Sequence, residues 1–150
     1  VPNARFFIVG MRPTPEVSRL AEQPGITVTG AVPDVRPYLA HAHAAVLPLR
    51  IARGIQNKVL EAMAMQLPII GTAGALTGIA PYAGFEPIIS ESADTLADSA
   101  SRLLQQPRRA DSAARECVLQ RYNWDSNLQR ILRLLETGEV EPDLRQPSPP

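Results

Sequence analysis

The chain is 150 residues long, 45% apolar, 20% charged and 5% aromatic, which describes one domain with enough apolar surface for a core and little room for a second. Fifteen lysines and arginines balance fifteen aspartates and glutamates and are scattered, so the positive field that holds a polyanion is missing and nucleic acid is set aside as a partner. One cysteine and two histidines allow neither an internal disulfide nor a Cys/His zinc shell, no apolar run approaches the roughly 20 residues of a membrane span, the opening residues do not read as a signal peptide, and a cytoplasmic setting is the expectation.

Taken in order, the elements alternate. Phe6-Phe7-Ile8-Val9, closed by Gly10, reads as a strand, and Thr14-Pro15-Glu16 supplies an N-cap, a first-turn proline and an early acid for a helix. Ile26 to Gly30 is a second strand, after which Asp34 caps a helix through His41 with Pro37 in its first turn. Ala44 to Pro48 is the third strand and Pro68 to Gly71 the fourth, with a helix near 55 to 66 between them; Pro87 to Ile89 is a weak fifth. Three helices follow, Ser92 to about Gln105, about Arg108 to Arg121, and Trp124 to about Glu136. Four of the fifteen prolines fall between Pro142 and Pro150, so residues 138–150 are expected as a disordered tail behind a domain of residues 1–137.

Strands without polar alternation, separated by helices, imply a parallel sheet covered on both faces, hence a doubly wound, Rossmann-like α/β fold. Ligands of such sheets bind beyond the carboxyl ends of the strands, which directs attention to the loops after Gly10, Gly30, Pro48 and Gly71.

The third of these loops carries the chemistry. Arg50, Arg53 and Lys58 lie within nine residues, and Gly54 stands at the expected helix start, where free N–H groups and the helix dipole favour an anion; the combination suits a diphosphate. Glu61 is the one polar residue between Val59 and Met65 that carries charge, and a carboxylate there needs donors or water; a vicinal diol such as a ribose supplies two. Lys58 sits three positions earlier, one turn nearer the helix start. The plain alternative is a surface ion pair between Lys58 and Glu61 and a solvated arginine loop. Elsewhere, His41 and His43 read as solvated or structural, Cys117 as a small buried hydrophobe, Met63 and Met65 as core filling, Trp124 as a packing anchor, and Ser90, Ser92 and Asp94 as helix capping.

The segment Gly54, Lys58, Glu61-Ala62-Met63-Ala64, then Pro68-Ile69-Ile70 and Thr72, resembles the donor-binding domain of the family 4 retaining glycosyltransferases of GT-B fold. Phe7 to Gly10, Gly30-x-Val32-x-Asp34 before Tyr38-Leu39, Val46-Leu47-Pro48 and Tyr122-x-Trp124 agree in order, so the likeness spans about residues 5 to 136. It is most similar to sugar transferases of bacterial exopolysaccharide production, in which Pro-Leu-Arg and Asn-Lys-x-x-Glu-Ala-Met-Ala recur.

The resemblance implies a nucleoside diphosphate sugar as donor substrate, with no cofactor and no metal. Glu61 would bind the ribose, Arg53, Gly54, Ile55 and Gln56 with Lys58 the diphosphate, and backbone near Val32 the base; Thr72 to Ala75 would border the pocket. Lys58 and Arg53 would assist catalysis as cations. Two positions depart from the pattern: Arg53 stands where a second glutamate often contacts the donor sugar, and Gln66 where a glycine ends the helix in a left-handed turn. The family's earlier strand and helix and its acceptor domain have no counterpart here, so the chain is expected to be a carboxyl-terminal part of a longer enzyme, inactive in transfer alone and acting in the cytoplasm, at the inner face of the membrane through that absent domain. Two rivals are a non-catalytic α/β interaction module, its last helices docking a partner, and a phosphosugar or nucleotide hydrolase, for which no paired acid and base is apparent.

Overall fold

A computed structural model describes residues 1–138; the expected tail lies, from residue 139 on, outside the described residues. The order is β1 (Phe6–Val9), α1 (Pro15–Arg19), β2 (Ile26–Gly30), α2 (Arg36–His41), β3 (Ala45–Leu47), α3 (Asn57–Ala64), β4 (Ile69–Gly71), β5 (Ile88–Ile89), α4 (Ala93–Leu104), α5 (Ser112–Arg121) and α6 (Trp124–Thr137). All strand pairs are parallel, as an α/β chain of this rhythm requires. Their hydrogen bonds join them in two sets, β1 with β2 and β3-β4-β5, with no ladder between the sets among the described residues.

Local chemistry explains the boundaries. Thr14 Oγ1 accepts the Val17 N–H, Ser92 Oγ the Thr95 N–H and Asp111 Oδ1 the Ala114 N–H, so each of these helices starts at a side-chain cap. The Asp111 cap, three residues beyond the start expected at about Arg108, is what fixes the beginning of α5 at Ser112.

The core lies between α3, α5 and the β3–β5 sheet. Val59, Ala62 and Met63 form the inner face of α3 and pack with Leu67, Ile69, Ala114 and Cys117, all essentially without exposure. β4 is buried along its whole length, as a covered parallel strand should be. β1 departs from that expectation: Phe6 and Phe7, on opposite faces, are 44% and 45% exposed. α6 departs further. Its described residues are exposed or half-exposed, and Trp124, expected as a packing anchor, is 77% exposed. The apolar spacing of α6 is real, but none of its described residues belongs to the core.

The end of α3 is tightly made. The Leu67 N–H bonds to Ala62 O and the Gln66 N–H to Met63 O, the paired bonds of a Schellman turn, with Ala62 and Leu67 both buried. Gln66 therefore sits at φ +59°, the left-handed region that disfavours a Cβ. Its carbonyl accepts the Asp111 N–H at 2.8 Å, and Arg115 Nη1 donates to Ala64 O at 2.7 Å, so α5 is stitched to the end of α3. Gln66→Gly keeps these backbone bonds and removes the strain; it is expected to stabilise the fold by about 0.5–1 kcal/mol, read as a rise of about 2–3 °C in Tm. A lowered Tm would mean that the Gln66 side chain contributes more than its backbone costs.

Candidate functional site

A crevice of about 440 Å³ opens between the β2–α2 loop and the outer flank of α3. Its walls are apolar, from Val32, Pro33, Val35, Leu39, Ala64 and Met65, and three charged residues line it, Asp34, Arg36 and Glu61. An apolar cleft of this size with a few placed polar groups is what a small-molecule site looks like. It forms because α3 has two working sides: Val59, Ala62 and Met63 face the core, while Glu61, Ala64 and Met65 fall on the neighbouring flank. Glu61 and Val32, far apart in sequence, thus share one cleft, and Glu61 keeps its carboxylate exposed to water.

Lys58 lies one turn nearer the start of α3 and is exposed, and it is not among the residues lining the crevice. The surface pair of the plain alternative is not formed among the described residues. Ion pairs among the described residues join Arg19 to Glu16 and Arg36 to Asp34, leaving Lys58, Glu61, Arg50 and Arg53 without ionic partners.

The loop before α3 is folded on itself. Gly54 has φ +64°, yet it does not open the helix as the sequence suggested; α3 begins at Asn57 with Gln56 as N-cap. The reason is the Gln56 amide, whose Nε2 donates to Arg53 O at 3.1 Å and Gly54 O at 3.3 Å instead of capping the helix. The Asn57 and Lys58 N–H groups are left with no acceptor among the described residues, so the positive tip of α3 stays free. Arg53, Gly54 and Ile55 are exposed beside it.

Thr72 follows β4 and is buried. Its hydroxyl donates to Leu49 O at 2.6 Å and accepts the Ala75 N–H at 3.3 Å, so it ties the β3–α3 loop to the loop after β4. The side chain is thereby committed within the protein. Ala73 N–H donates in turn to Glu91 Oε1 at 2.9 Å, which adds the segment after β5. Tyr122 is a support the sequence offered only as a spaced motif: its hydroxyl donates to Gly78 O at 3.0 Å and accepts the Ala80 N–H at 2.9 Å. Gly78, at φ +84°, lies so close to Ile55 that a Cβ there would stand 3.0 Å from Ile55 Cγ1. Tyr122 thus braces the loop carrying Arg53 and Gly54 through Gly78. Asp34 is missed by the sequence as a crevice residue, and so is Arg36; their bidentate pairing holds the Asp34 carboxyl below its ordinary range.

His41 Nδ1 lies 2.7 Å from Pro37 O, and Cys117 is buried in the core. Among the described residues no helix is long and apolar enough to cross a membrane.

Comparison with known proteins agrees with this architecture. The structure of HepE (Alr3699) from Anabaena in complex with UDP superposes with a TM-score of 0.71 at 15% identity, over 91% of this chain and 42% of that one. AviGT4, a glycosyltransferase involved in avilamycin A biosynthesis, gives 0.59 at 22% identity over 89% and 44%, and TarM gives 0.64 at 17% over 89% and 29%. At these identities the likeness shows a shared fold, the Rossmann-like domain of GT-B glycosyltransferases, and the chain spans less than half the length of each of these proteins. No curated protein sequence matches the chain. The family model described as glycosyl transferases group 1 matches residues 1–106, most of the chain, and the protein belongs to that family.

Proposed function

We propose that the chain is the donor-binding part of a retaining glycosyltransferase of hexosyl type, which moves a sugar from a nucleoside diphosphate sugar to an acceptor hydroxyl in exopolysaccharide assembly. The observation that carries this reading is the crevice that holds Val32 and Glu61 together, one turn of α3 away from an unpaired Lys58 and two free N–H groups. A base against Val32, a ribose diol on Glu61 and a diphosphate toward Lys58 and the Arg53–Gln56 loop follow that order along the helix. The UDP of the HepE structure is a ligand of this class. Support for the exopolysaccharide setting is the Asn57-Lys58-x-x-Glu61-Ala62-Met63-Ala64 pattern, which resembles such transferases.

As the sugar leaves, negative charge grows on the diphosphate, and preorganised donors stabilise it only to the extent that they grip the transition state harder than the substrate. Lys58, Arg53 and the free amides at the start of α3 are those donors in this scheme, and no metal or cofactor enters it. Thr72 acts as a positioning residue, through Leu49. The acceptor binds in a further domain, which brings the reaction to the inner face of the membrane from the cytoplasm.

Calorimetric titration of the chain with UDP and GDP tests the reading. At least one is expected to bind, and Glu61→Ala to weaken it by about tenfold or more, the loss of a charged hydrogen-bond pair. Absence of binding would favour a non-catalytic interaction module, and binding indifferent to Glu61→Ala would remove the ribose role.

A further inference from the structure

We propose that Arg36, clamped on Asp34, selects the nucleobase of the donor, preferring guanine or uracil over adenine or cytosine. The inference rests on the donor-binding reading above and adds to it a residue that decides specificity.

Arg36 opens α2 and lines the same crevice as Val32 and Glu61. Its guanidinium is fixed. Nε donates to Asp34 Oδ1 at 2.9 Å and Oδ2 at 3.0 Å, Nη2 lies 2.9 Å from Oδ2, and the Arg36 backbone N–H donates to Oδ1 at 2.9 Å. A guanidinium has five N–H donors, and this grip takes the Nε–H and one on Nη2. Both N–H groups of Nη1 and the second on Nη2 remain, on a side chain that is 76% exposed. A planar donor group pinned in one orientation loses little freedom when a ligand arrives.

The unspent groups are donors only. Guanine and uracil offer a carbonyl oxygen at the edge where adenine and cytosine carry an amino group, and arginine pairs two N–H groups with guanine O6 and N7. An amino group set against these donors would leave both sides unpaired, the case in which a site rejects an analogue most strongly. Val32, Leu39 and Met65 supply apolar surface for the base plane, and Asp34 is too occupied by Arg36 to accept freely from an amino group. The phosphate-directed cations, Arg50 and Arg53 in the β3–α3 loop and Lys58 on α3, do not line the crevice, so Arg36 serves the base end of the ligand and not its diphosphate end.

The test titrates UDP, GDP, ADP and CDP into the chain and into Arg36→Met and Asp34→Asn. UDP or GDP is expected to bind the unmodified chain about tenfold or more tightly than ADP and CDP, and which of the two wins identifies the base. Arg36→Met is expected to bring all four within about threefold by weakening the favoured nucleotide and sparing ADP; Asp34→Asn, which unclamps the guanidinium but keeps its charge, should narrow the preference in the same direction. Equal binding of all four by the unmodified chain, or a uniform loss across the four in Arg36→Met, would overturn the inference, the second outcome marking Arg36 as a phosphate contact. Failure of every nucleotide to bind overturns the donor-binding reading as well. Binding that depends on Glu61 but keeps its base preference in Arg36→Met overturns the base-reading role alone.

Discussion

Lys58→Ala is expected to lower the turnover of an intact transferase carrying this chain by about 10²–10³-fold, while leaving Tm within about 1 °C. A structural fact and the proposed chemistry separate the effects. Lys58 is exposed at the second position of α3 and makes no ion pair among the described residues, so the fold loses little with it. In the proposed scheme the leaving diphosphate, by contrast, gains charge next to the helix tip, where a nearby cation stabilises it. Lys58→Arg should restore part of the rate, since the charge returns with a different donor geometry. Unchanged turnover in the alanine variant would remove Lys58 from the reaction, and a rate loss matched by a collapse in Tm would make its role structural.

Met63→Ala is expected to cost about 3 kcal/mol of folding stability, seen as a Tm lower by about 6–12 °C and a reduced urea midpoint at unchanged m. Met63 has no exposed surface and sits on the inner face of α3 beside Val59 and Ala62, against Leu67, Ile69 and Cys117. Truncation leaves a cavity where the helix meets the sheet and α5, and α5 is tied to the end of α3 through Arg115 and Asp111. The helix cannot slide to fill the gap without breaking those bonds. Met63→Leu, nearly equal in volume, should cost under about 1.5 kcal/mol. The same face sets the roll of α3 that aims Glu61 into the crevice, so nucleotide affinity should drop with Met63→Ala and return with Met63→Leu. Equal stability of the alanine variant would mean that this part of the core is not close-packed.

Much of this was legible from residue order. The βα rhythm, the caps at Thr14 and Ser92, and the left-handed turn at Gln66 each have a short-range cause, so they survive the passage to three dimensions. What was not legible depends on neighbours distant in the chain. An apolar run marks Phe6 to Val9 as a strand but says nothing of what covers it, and Phe6 and Phe7 stand partly bare. Helical spacing gives α6 an apolar face without supplying a partner, which is why Trp124 lies exposed. Gly54 advertises backbone freedom, yet where the helix begins is decided by the Gln56 side chain turning back on Arg53 and Gly54. Of the crevice residues, the pattern of α3 offered Glu61 and the family resemblance offered Val32. Arg36 escaped notice because its use requires knowing that the β2–α2 loop faces α3. Thr72 and Tyr122 escaped as supports because their partners, Leu49 and Gly78, are reached only through the fold.

Cys117, the one thiol in the sequence, lies without exposed surface on the inner face of α5, and burial pushes its ionisation upward against the opposing pull of Arg121. Alkylating reagents attack thiolate, so they must wait for α5 to lift from α3 before they find it. The protein therefore carries its own timer for the opening of the seam behind the crevice, readable by the rate of covalent labelling without any added probe.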